Sequence, residues 1–396
     1  MRNSKSGFVS MALVYTFLVI FLFLMLAILR TYIEKDKFLE AINSQIDEDI
    51  NKDKRNRSYA LSKMLEDNAP QSYDTVYLVK PAGDSFGNGN GLYYISEDSL
   101  TDENDDGKTS RIYFYRGSVE NNHLIYANKC FRILRTNEDG SIRMVYDGEA
   151  TDNKCKKLSQ KPNVHIGTVS FSDNETLSLV EPQNGLLPVY DDSIAHSNII
   201  DLLNEWYVTN FIETNKTEEI SKNTIFCNNK KGYSTASNIN YYESKKMVPV
   251  FKDNRDRDRY DPTKLTNSFS LICSQVNDRY SAVERTLSYP VGILSAEDVL
   301  LAGGYLTSSD DEYEGGPDGI ENSEFYLYTG RTFWTSSAFS TNLNSSQNYM
   351  VVVNNDGYMQ EKHVTETADV IPVISLAANI RINSGNGTAN NPYRVD

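Results

Sequence analysis

The sequence is poor in the residues from which most metal and nucleophile sites are built. It contains only four cysteines, four histidines and two tryptophans among 396 residues. No two cysteines form a C-x-x-C pair and the histidines are far apart, so a structural zinc site has no support. The scattered histidines do not indicate a base for nucleophilic catalysis either. We therefore expect a protein that is not an enzyme and that carries no cofactor.

Positive charge is also scarce. The chain has 39 lysines and arginines against 54 aspartates and glutamates, which gives a formal net charge of -15. Its densest basic run, "NRDRDR" at 254–259, alternates with aspartates and is typical of a solvated loop. Because nucleic-acid binding requires a basic face, the composition predicts no nucleic-acid partner.

One segment has no charge at all. Between Phe8 and Leu29 every residue is uncharged and nearly all are apolar, and Arg2 and Lys5 precede the segment. A membrane-spanning helix needs roughly 20 such residues, and this stretch is apolar on every face. It ends in "LAILRTYIEK", without the small residues of a signal-peptidase site. We predict a basic leader at residues 1–7 and a transmembrane helix at 8–30.

The orientation of that helix is not decided by charge, because Arg30, Lys35 and Lys37 follow it as closely as the leader charges precede it. The remaining chain is rich in tyrosine, asparagine and serine, with 26 tyrosines. That composition is typical of extracellular bacterial surfaces. The sequence thus predicts a single-pass protein of the cell membrane with its C-terminal domain outside.

Apolar residues recur at three- and four-residue steps after the membrane segment, with charged residues between them. The pattern weakens at "INKDKRNR", resumes at "SYALSKMLED" and stops at Pro70. We predict a helical stalk over residues 31–72.

Residues 73–396 have a different pattern of short β-type runs broken by glycine, asparagine and aspartate. Asp139-Gly140 and Asp356-Gly357 supply the turn chemistry of two hairpins. Two helices are predicted, "HSNIIDLLNEWYVTNFIE" and "SAEDVLLAGG". The second begins at Ser295 with Asp298 in a capping box and ends at Gly303. This pattern predicts an α+β domain of short irregular sheets with two helices.

All four cysteines follow the membrane segment, and four cysteines allow three pairings. Proximity in the sequence favours Cys130 with Cys155 and Cys227 with Cys273. We predict these two disulfides.

"TDENDDGKTSRIY" begins like a calcium-binding loop. Asp102, Asn104, Asp106 and Gly107 occupy the first, third, fifth and sixth positions, but Tyr113 stands where a bidentate glutamate is needed. A calcium site at Asp102, Asn104 and Asp106 is one hypothesis, and an acidic turn without metal is the alternative.

The "FWTSS" run combines an aromatic ring with hydroxyls. An exposed Trp334 would stack on a sugar or a partner protein, while Thr335, Ser336 and Ser337 orient it. A buried Trp334 in the core is the alternative. The first hypothesis makes these four residues a ligand-binding site.

The segment "DDGKTSRIYFYRGSVENNHLIYANKCFRILRTNEDGSIRMVYDG" at 105–148 resembles a widespread domain of surface proteins in low-GC Gram-positive and wall-less bacteria. The resemblance continues through "LSYPVGILSAEDVLLAGG", "FWTSS" and "VIPVISLAANIRINSGNGTANNPY", covering most of residues 90–396. Such domains resemble the C-type-lectin-like fold, which is shared with formylglycine-generating enzymes. Ile371 stands where the family has arginine, and no cysteine follows Cys273, where the enzymes use cysteines.

The N-terminus is similar to that of type IV pilins and pseudopilins, in which a basic leader precedes a long apolar helix. The resemblance implies prepilin-peptidase cleavage between Gly7 and Phe8. Ala12 stands where pilins have a glutamate that aids subunit docking. A plain single-span anchor is the alternative.

Taken together, the resemblances imply a membrane-anchored surface protein that acts in binding or adhesion. It would display a C-type-lectin-like head on a long helix and stalk, and a minor pilin or pseudopilin is its narrower form. The expected partners are the membrane, pilin or secretion-apparatus subunits, and a surface glycan or protein. A formylglycine-enzyme-like catalyst and a structural surface subunit without ligand are the competing alternatives.

Overall fold

The chain divides into two units, Met1–Arg55 and Asn56–Asp396. The computed structural model describes parts of the second unit only. These are residues 59–72, 91–95, 112–137, 139–156, 164–173, 179–180, 189–190, 197–227, 241–243, 271, 279–306, 325–342 and 348–395.

β-Strands are the main regular secondary structure of the described residues, as the sequence predicts. In chain order the strands are β1 (Gln71–Ser72), β2 (Gly91–Ile95), β3 (Ile112–Arg116), β4 (His123–Tyr126), β5 (Lys129–Thr136), β6 (Ile142–Glu149), β7 (Gly167–Ser170), β8 (Leu179–Val180), β9 (Val189–Tyr190), β10 (Phe226–Cys227), β11 (Tyr241–Glu243), β12 (Arg279–Tyr280), β13 (Tyr305–Leu306), β14 (Phe333–Asn342), β15 (Asn348–Val353), β16 (Tyr358–His363), β17 (Thr367–Val370), β18 (Val373–Leu376) and β19 (Tyr393–Arg394).

Both predicted helices of the domain are present, as α2 (Ile199–Tyr207) and α3 (Ala296–Ala302). A π-helical turn, Val208–Ile212, continues α2. Helix α3 has the predicted capping box between Ser295 and Asp298, and it ends at Gly303 with a positive φ of 105°. These signals act within a few residues of the chain, which is why the sequence locates α3 accurately.

The first sheet has eight strands in the order β1-β2-β3-β5-β4-β19, and β6 pairs with both β5 and β18. Its centre is the predicted β5–β6 hairpin, whose turn contains Asp139 and a Gly140 with φ of 77°. Strand β19 joins the edge by pairing in parallel with β4.

The second sheet has seven strands in the order β13-β16-β15-β14-β17-β7, and β11 pairs with the far end of β14. The predicted turn at Gly357 (φ 86°) connects β15 to β16. Two smaller sheets have two strands each, β8–β9 and β10–β12. The described fold is therefore α+β with extended sheets and few helices, and the two main sheets are larger than the short irregular sheets that the sequence predicts.

The chain passes between the two main sheets at "VIPV". Strand β17 belongs to the second sheet and β18 to the first, and only Ile371 and Pro372 separate them. Ile371 is 4 % exposed and lies in the same apolar core as side chains of both sheets. An apolar side chain suits this crossing, whereas an arginine would need buried partners.

A third helix, α1 (Tyr59–Asp67), lies within the predicted stalk, residues 31–72. Its Ala60, Leu61 and Met64 are fully buried in the core of the domain. Residues 59–67 therefore pack in the domain and do not form a free stalk. The periodicity of this segment predicts an amphipathic helix, but it does not reveal what covers the apolar face.

The predicted leader, the transmembrane helix at 8–30 and the rest of the stalk up to residue 58 lie outside the described residues. Among the helices that the structure does describe, none is long and apolar enough to cross a membrane.

Candidate functional site

The predicted ligand-binding tryptophan lies in the core. Trp334, at the start of β14, is 1 % exposed. Its Nε1–H donates to the Val169 carbonyl at 2.8 Å, and its ring meets Phe171 edge to face at 5.6 Å between centroids. A ring with both faces covered has no surface to offer a sugar. The hypothesis of an exposed, stacking Trp334 is wrong for this structure, and the core alternative is correct.

The three hydroxyls that follow are also buried and engaged. Thr335 Oγ1 donates to the Val351 carbonyl at 2.7 Å, and Ser336 Oγ to the Cys227 carbonyl at 2.9 Å. Ser337 Oγ accepts from the Ala296 N–H at 3.0 Å, at the first turn of α3. The hydroxyls connect β14 to its neighbours, so the predicted site at Trp334, Thr335, Ser336 and Ser337 is corrected to a structural strand.

A buried ion cluster joins the first sheet to α3. Arg135 Nε lies 2.8 Å from Asp298 Oδ1, and Arg143 Nη1 lies 3.1 Å from Asp298 Oδ2. The Ser295 N–H donates to the same carboxylate at 3.2 Å. Burial opposes the charged form of Asp298, but the Arg143 and Arg135 guanidiniums outweigh it and hold its pKa at about 2. Both carboxylate oxygens are occupied, so Asp298 anchors the helix and is not placed to transfer a proton.

A second polar group of residues lies on strands β7 and β17. Thr168 pairs with Asp369 and Ser170 with Thr367, so these four side chains share one face of the sheet. The alternate residues of β17, Ala368 and Val370, are buried in the core. We call this face, formed by Thr168, Ser170, Thr367 and Asp369 together with the Arg331 side chain that binds Asp369, the polar ledge.

The centre of the polar ledge is the Asp369 carboxylate. Arg331 binds it with two groups: Nε contacts Oδ2, and Nη2 donates to Oδ1 at 3.0 Å. Thr168 Oγ1 donates to Oδ1 at 2.6 Å, and His165 Nδ1 lies 3.9 Å from the same oxygen. Burial disfavours the carboxylate, but hydrogen bonds from Arg331 and Thr168 lower the pKa of Asp369 below its ordinary value. The Arg331 side chain is 44 % exposed, so this cluster meets solvent.

The polar ledge continues to the start of α2. Asn198 Nδ2 donates to Ser170 Oγ at 2.9 Å and to Asp173 Oδ1 at 2.7 Å. Ser170 Oγ donates to the same Asp173 oxygen at 2.9 Å. Asn198 is the N-cap residue of α2, but its side chain makes no capping hydrogen bond. It binds the ledge instead.

Hydroxyl, carboxylate and guanidinium groups of the polar ledge thus lie next to the Asn198 amide at the start of α2. This set of donors and acceptors fits the hydroxyls of a sugar or the polar groups of a protein surface. The polar ledge is not among the predicted sites, although "GTVS" and "TADV" show the alternation that places their polar residues on one face. The signal is short and common, and the register that joins the two strands is not local.

The predicted Cys130–Cys155 disulfide is confirmed. Cys227 is also disulfide-bonded, whereas Cys273 lies outside the described residues. The proposed calcium ligands Asp102, Asn104 and Asp106, and the processing site at Gly7 and Phe8, lie outside them too. Within the described parts of residues 59–395, no group of three or more His, Cys, Asp or Glu side chains is arranged to hold a metal.

No protein-family model, curated protein or solved structure matches this chain.

Proposed function

We propose that the chain is a membrane-anchored cell-surface protein, with residues 56–396 outside the cell, that acts in binding or adhesion. The observation that carries this proposal is the Cys130–Cys155 disulfide, which occurs with a bonded Cys227 in a domain that follows a long apolar segment. Disulfides persist in oxidising compartments and are rare in the cytosol. The apolar segment supplies the anchor.

For the head we propose a C-type-lectin-like domain. The support is the resemblance of the quoted segments, together with an α+β architecture that has two helices beside the sheets in residues 197–306. The function of such a domain depends on its surface and not on its fold alone.

The polar ledge is the proposed binding surface, and its ligand class is a surface glycan or protein. It combines exposed Thr168 and Thr367 with the half-exposed Arg331, all supported by the buried Asp369. A surface whose side chains are already fixed by hydrogen bonds loses little conformational freedom when a ligand binds.

Location is tested with the full chain expressed in a Gram-positive host. A membrane-impermeant amine-reactive biotin is applied to intact cells and to lysed cells, and peptides are mapped without reduction. We expect labelled lysines within residues 56–396 on intact cells and a linked peptide pair that contains Cys130 and Cys155. Labelling only after lysis, or four free thiols, would overturn the proposal.

The narrower proposal of a minor pilin or pseudopilin rests on the leader and on Gly7-Phe8. N-terminal sequencing of the mature surface protein tests it separately. A methylated Phe8 at the start supports the pilin form, whereas an intact Met1 leaves only the plain anchor.

A structural surface subunit without ligand is the second candidate. The observation that favours it is the burial of the "FWTSS" hydroxyls, all of which serve the fold. Variants of the polar ledge separate the two candidates. If the chain is a purely structural subunit, replacing Arg331 and Thr168 leaves the adhesion of cells that display it unchanged. The catalytic alternative gains no support from Asp298, since two arginines occupy its oxygens.

A further inference from the structure

Residues 383–395, which we call the latch, lie along the outer strand of the first sheet. Its β19 pairs in parallel with β4, through Tyr393 opposite Leu124 and Arg394 opposite Ile125. The His123 N–H donates to the Gly387 carbonyl at 2.8 Å. Parallel pairing over two residues is a weak attachment by itself, so the latch depends on what holds its two sides.

On one side the latch is held by the Cys130–Cys155 disulfide. The Cys155 N–H donates to the Ala389 carbonyl at 2.8 Å. Ala389 also packs with Ile125, Cys130 and Cys155 in a small apolar cluster that is separate from the main core. The disulfide therefore holds Cys155 next to Cys130, and the latch is hydrogen-bonded to Cys155. Ala389, for its part, covers the disulfide.

On the other side the latch is held by the residue that follows α1. Asn68 Nδ2 donates to the Tyr393 hydroxyl at 3.3 Å and to the Tyr115 hydroxyl at 3.3 Å. Asn121 Nδ2 donates to Asn68 Oδ1. Tyr393 is fully buried. The latch thus joins the disulfide to the helix by which the chain enters the domain.

The latch fits its seat closely. Gly387 has a φ of 80°, and a Cβ added there would lie 2.0 Å from the Asn121 carbonyl oxygen. Only glycine meets both demands, because its φ is unfavourable for other residues and the space is taken by backbone. A side chain at this position would lift the latch while leaving both cysteines in place.

We propose that the Cys130–Cys155 disulfide is a redox-controlled lock on this latch. A dithiol reductant attacks Cys155 Sγ, which belongs to the more exposed cysteine of the pair (7 % against 1 %), and Cys130 leaves as a thiolate that takes up a proton. The second thiol of the reductant then releases Cys155 as a thiol and becomes a disulfide itself. Opening the bond frees the latch from β4 and loosens the Asn68 contacts at the end of α1. The device does not depend on the ligand of the polar ledge.

Hydrogen–deuterium exchange on the full chain tests the lock. We compare the wild type with Cys130→Ser/Cys155→Ser and with the control Cys227→Ser/Cys273→Ser. In the first variant we expect exchange of residues 383–395 to accelerate at least about tenfold, with β5, β6 and β18 still protected. The control leaves the latch protected. Unchanged exchange of the latch, or equal deprotection of latch and sheet, would overturn the proposal.

The reciprocal experiment keeps the disulfide and lifts the latch. In Gly387→Ala we expect dithiothreitol to reduce Cys130–Cys155 at least about tenfold faster than in the wild type, because Ala389 no longer covers it. Reduction of the disulfide at Cys227 serves as the internal control and keeps its rate. An unchanged reduction rate at Cys130–Cys155 would contradict the lock, even if the double-serine variant failed to fold.

Discussion

Two aspartate–arginine clusters lie in different surroundings in this domain. Asp298 is sealed between the first sheet and α3, with its side chain 0 % exposed and with Arg135 and Arg143 on its two oxygens. Asp369 lies on the second sheet beneath an Arg331 that is 44 % exposed. The sealed cluster has no free position for a ligand, so its role is to hold α3 on the sheet. The open cluster already orders its side chains at the surface, which is what a binding site requires.

The largest effect is expected at the sealed cluster. Asp298→Ala leaves two buried guanidiniums without their carboxylate and removes the acceptor of the Ser295 N–H in the capping box of α3. We expect a loss of about 3–5 kcal/mol in the free energy of unfolding, measured by urea titration. The matched control is Asp201→Ala, because Asp201 is also in the first turn of a helix but is exposed. It should cost less than about 1 kcal/mol. Equal losses in the two variants would remove the distinction between sealed and open charges.

The same cluster predicts a pH dependence. Asp298 has a pKa of about 2 in the folded protein and an ordinary value of 3.8, so the folded state favours its charged form. Its contribution of roughly 2 kcal/mol is present above pH 3.8 and is lost as the pH falls through about 2. Urea titrations of wild type and Asp298→Asn at pH 7, 4, 3 and 2 measure this. The difference between the two proteins should shrink over that window, and a constant difference would contradict the assignment.

A smaller effect is expected at the open cluster. Asp369→Ala removes the acceptor of Thr168 and Arg331, but the Arg331 guanidinium returns to water and is not left buried. We expect a loss of about 1–2 kcal/mol in the free energy of unfolding. A loss as large as that of Asp298→Ala would mean that the polar ledge is a structural cluster too.

The smallest effect is expected for an ordinary surface pair. Lys362 Nζ lies 2.9 Å from Glu366 Oε2 near the end of β16, and the Glu366 side chain is 57 % exposed. Lys362→Ala should cost only about 0.3 kcal/mol, and the difference should vanish at 1 M salt because exposed charges are screened. A cost that persists in high salt would show that exposure does not separate these interactions as we describe.

Where the sequence predicted structure correctly, the signal was local. The turns at Gly140 and Gly357, the capping box at Ser295 and the end of α3 at Gly303 each need only a few neighbouring residues. The Cys130–Cys155 pairing also followed from proximity along the chain.

The features that the sequence did not predict depend on residues that are far apart in the sequence. The helix at Tyr59–Asp67 has the same periodicity whether it is a free stalk or packs on a sheet. The sequence around Trp334 is compatible with a surface position and with a core position. Its hydrogen-bond acceptor, the Val169 carbonyl, is distant in the sequence. Arginines are usually exposed, so the sequence does not reveal that Arg135 and Arg143 are buried. Strands β5 and β6 place them next to Asp298, which belongs to α3. The polar ledge exists only because β7 pairs with β17.

The central claim is that the open, polar ledge binds a surface ligand while the sealed cluster serves the fold. Adhesion of intact cells that display the full chain tests it most directly, on a panel of immobilised glycans and extracellular-matrix proteins. Cells with wild type and cells with the control Lys362→Ala should be retained on the same member of the panel. Retention of cells with Thr168→Ala/Arg331→Ala, displayed at equal levels, should fall at least about tenfold. Equal retention of all three, or no retention of the wild type, would contradict the account.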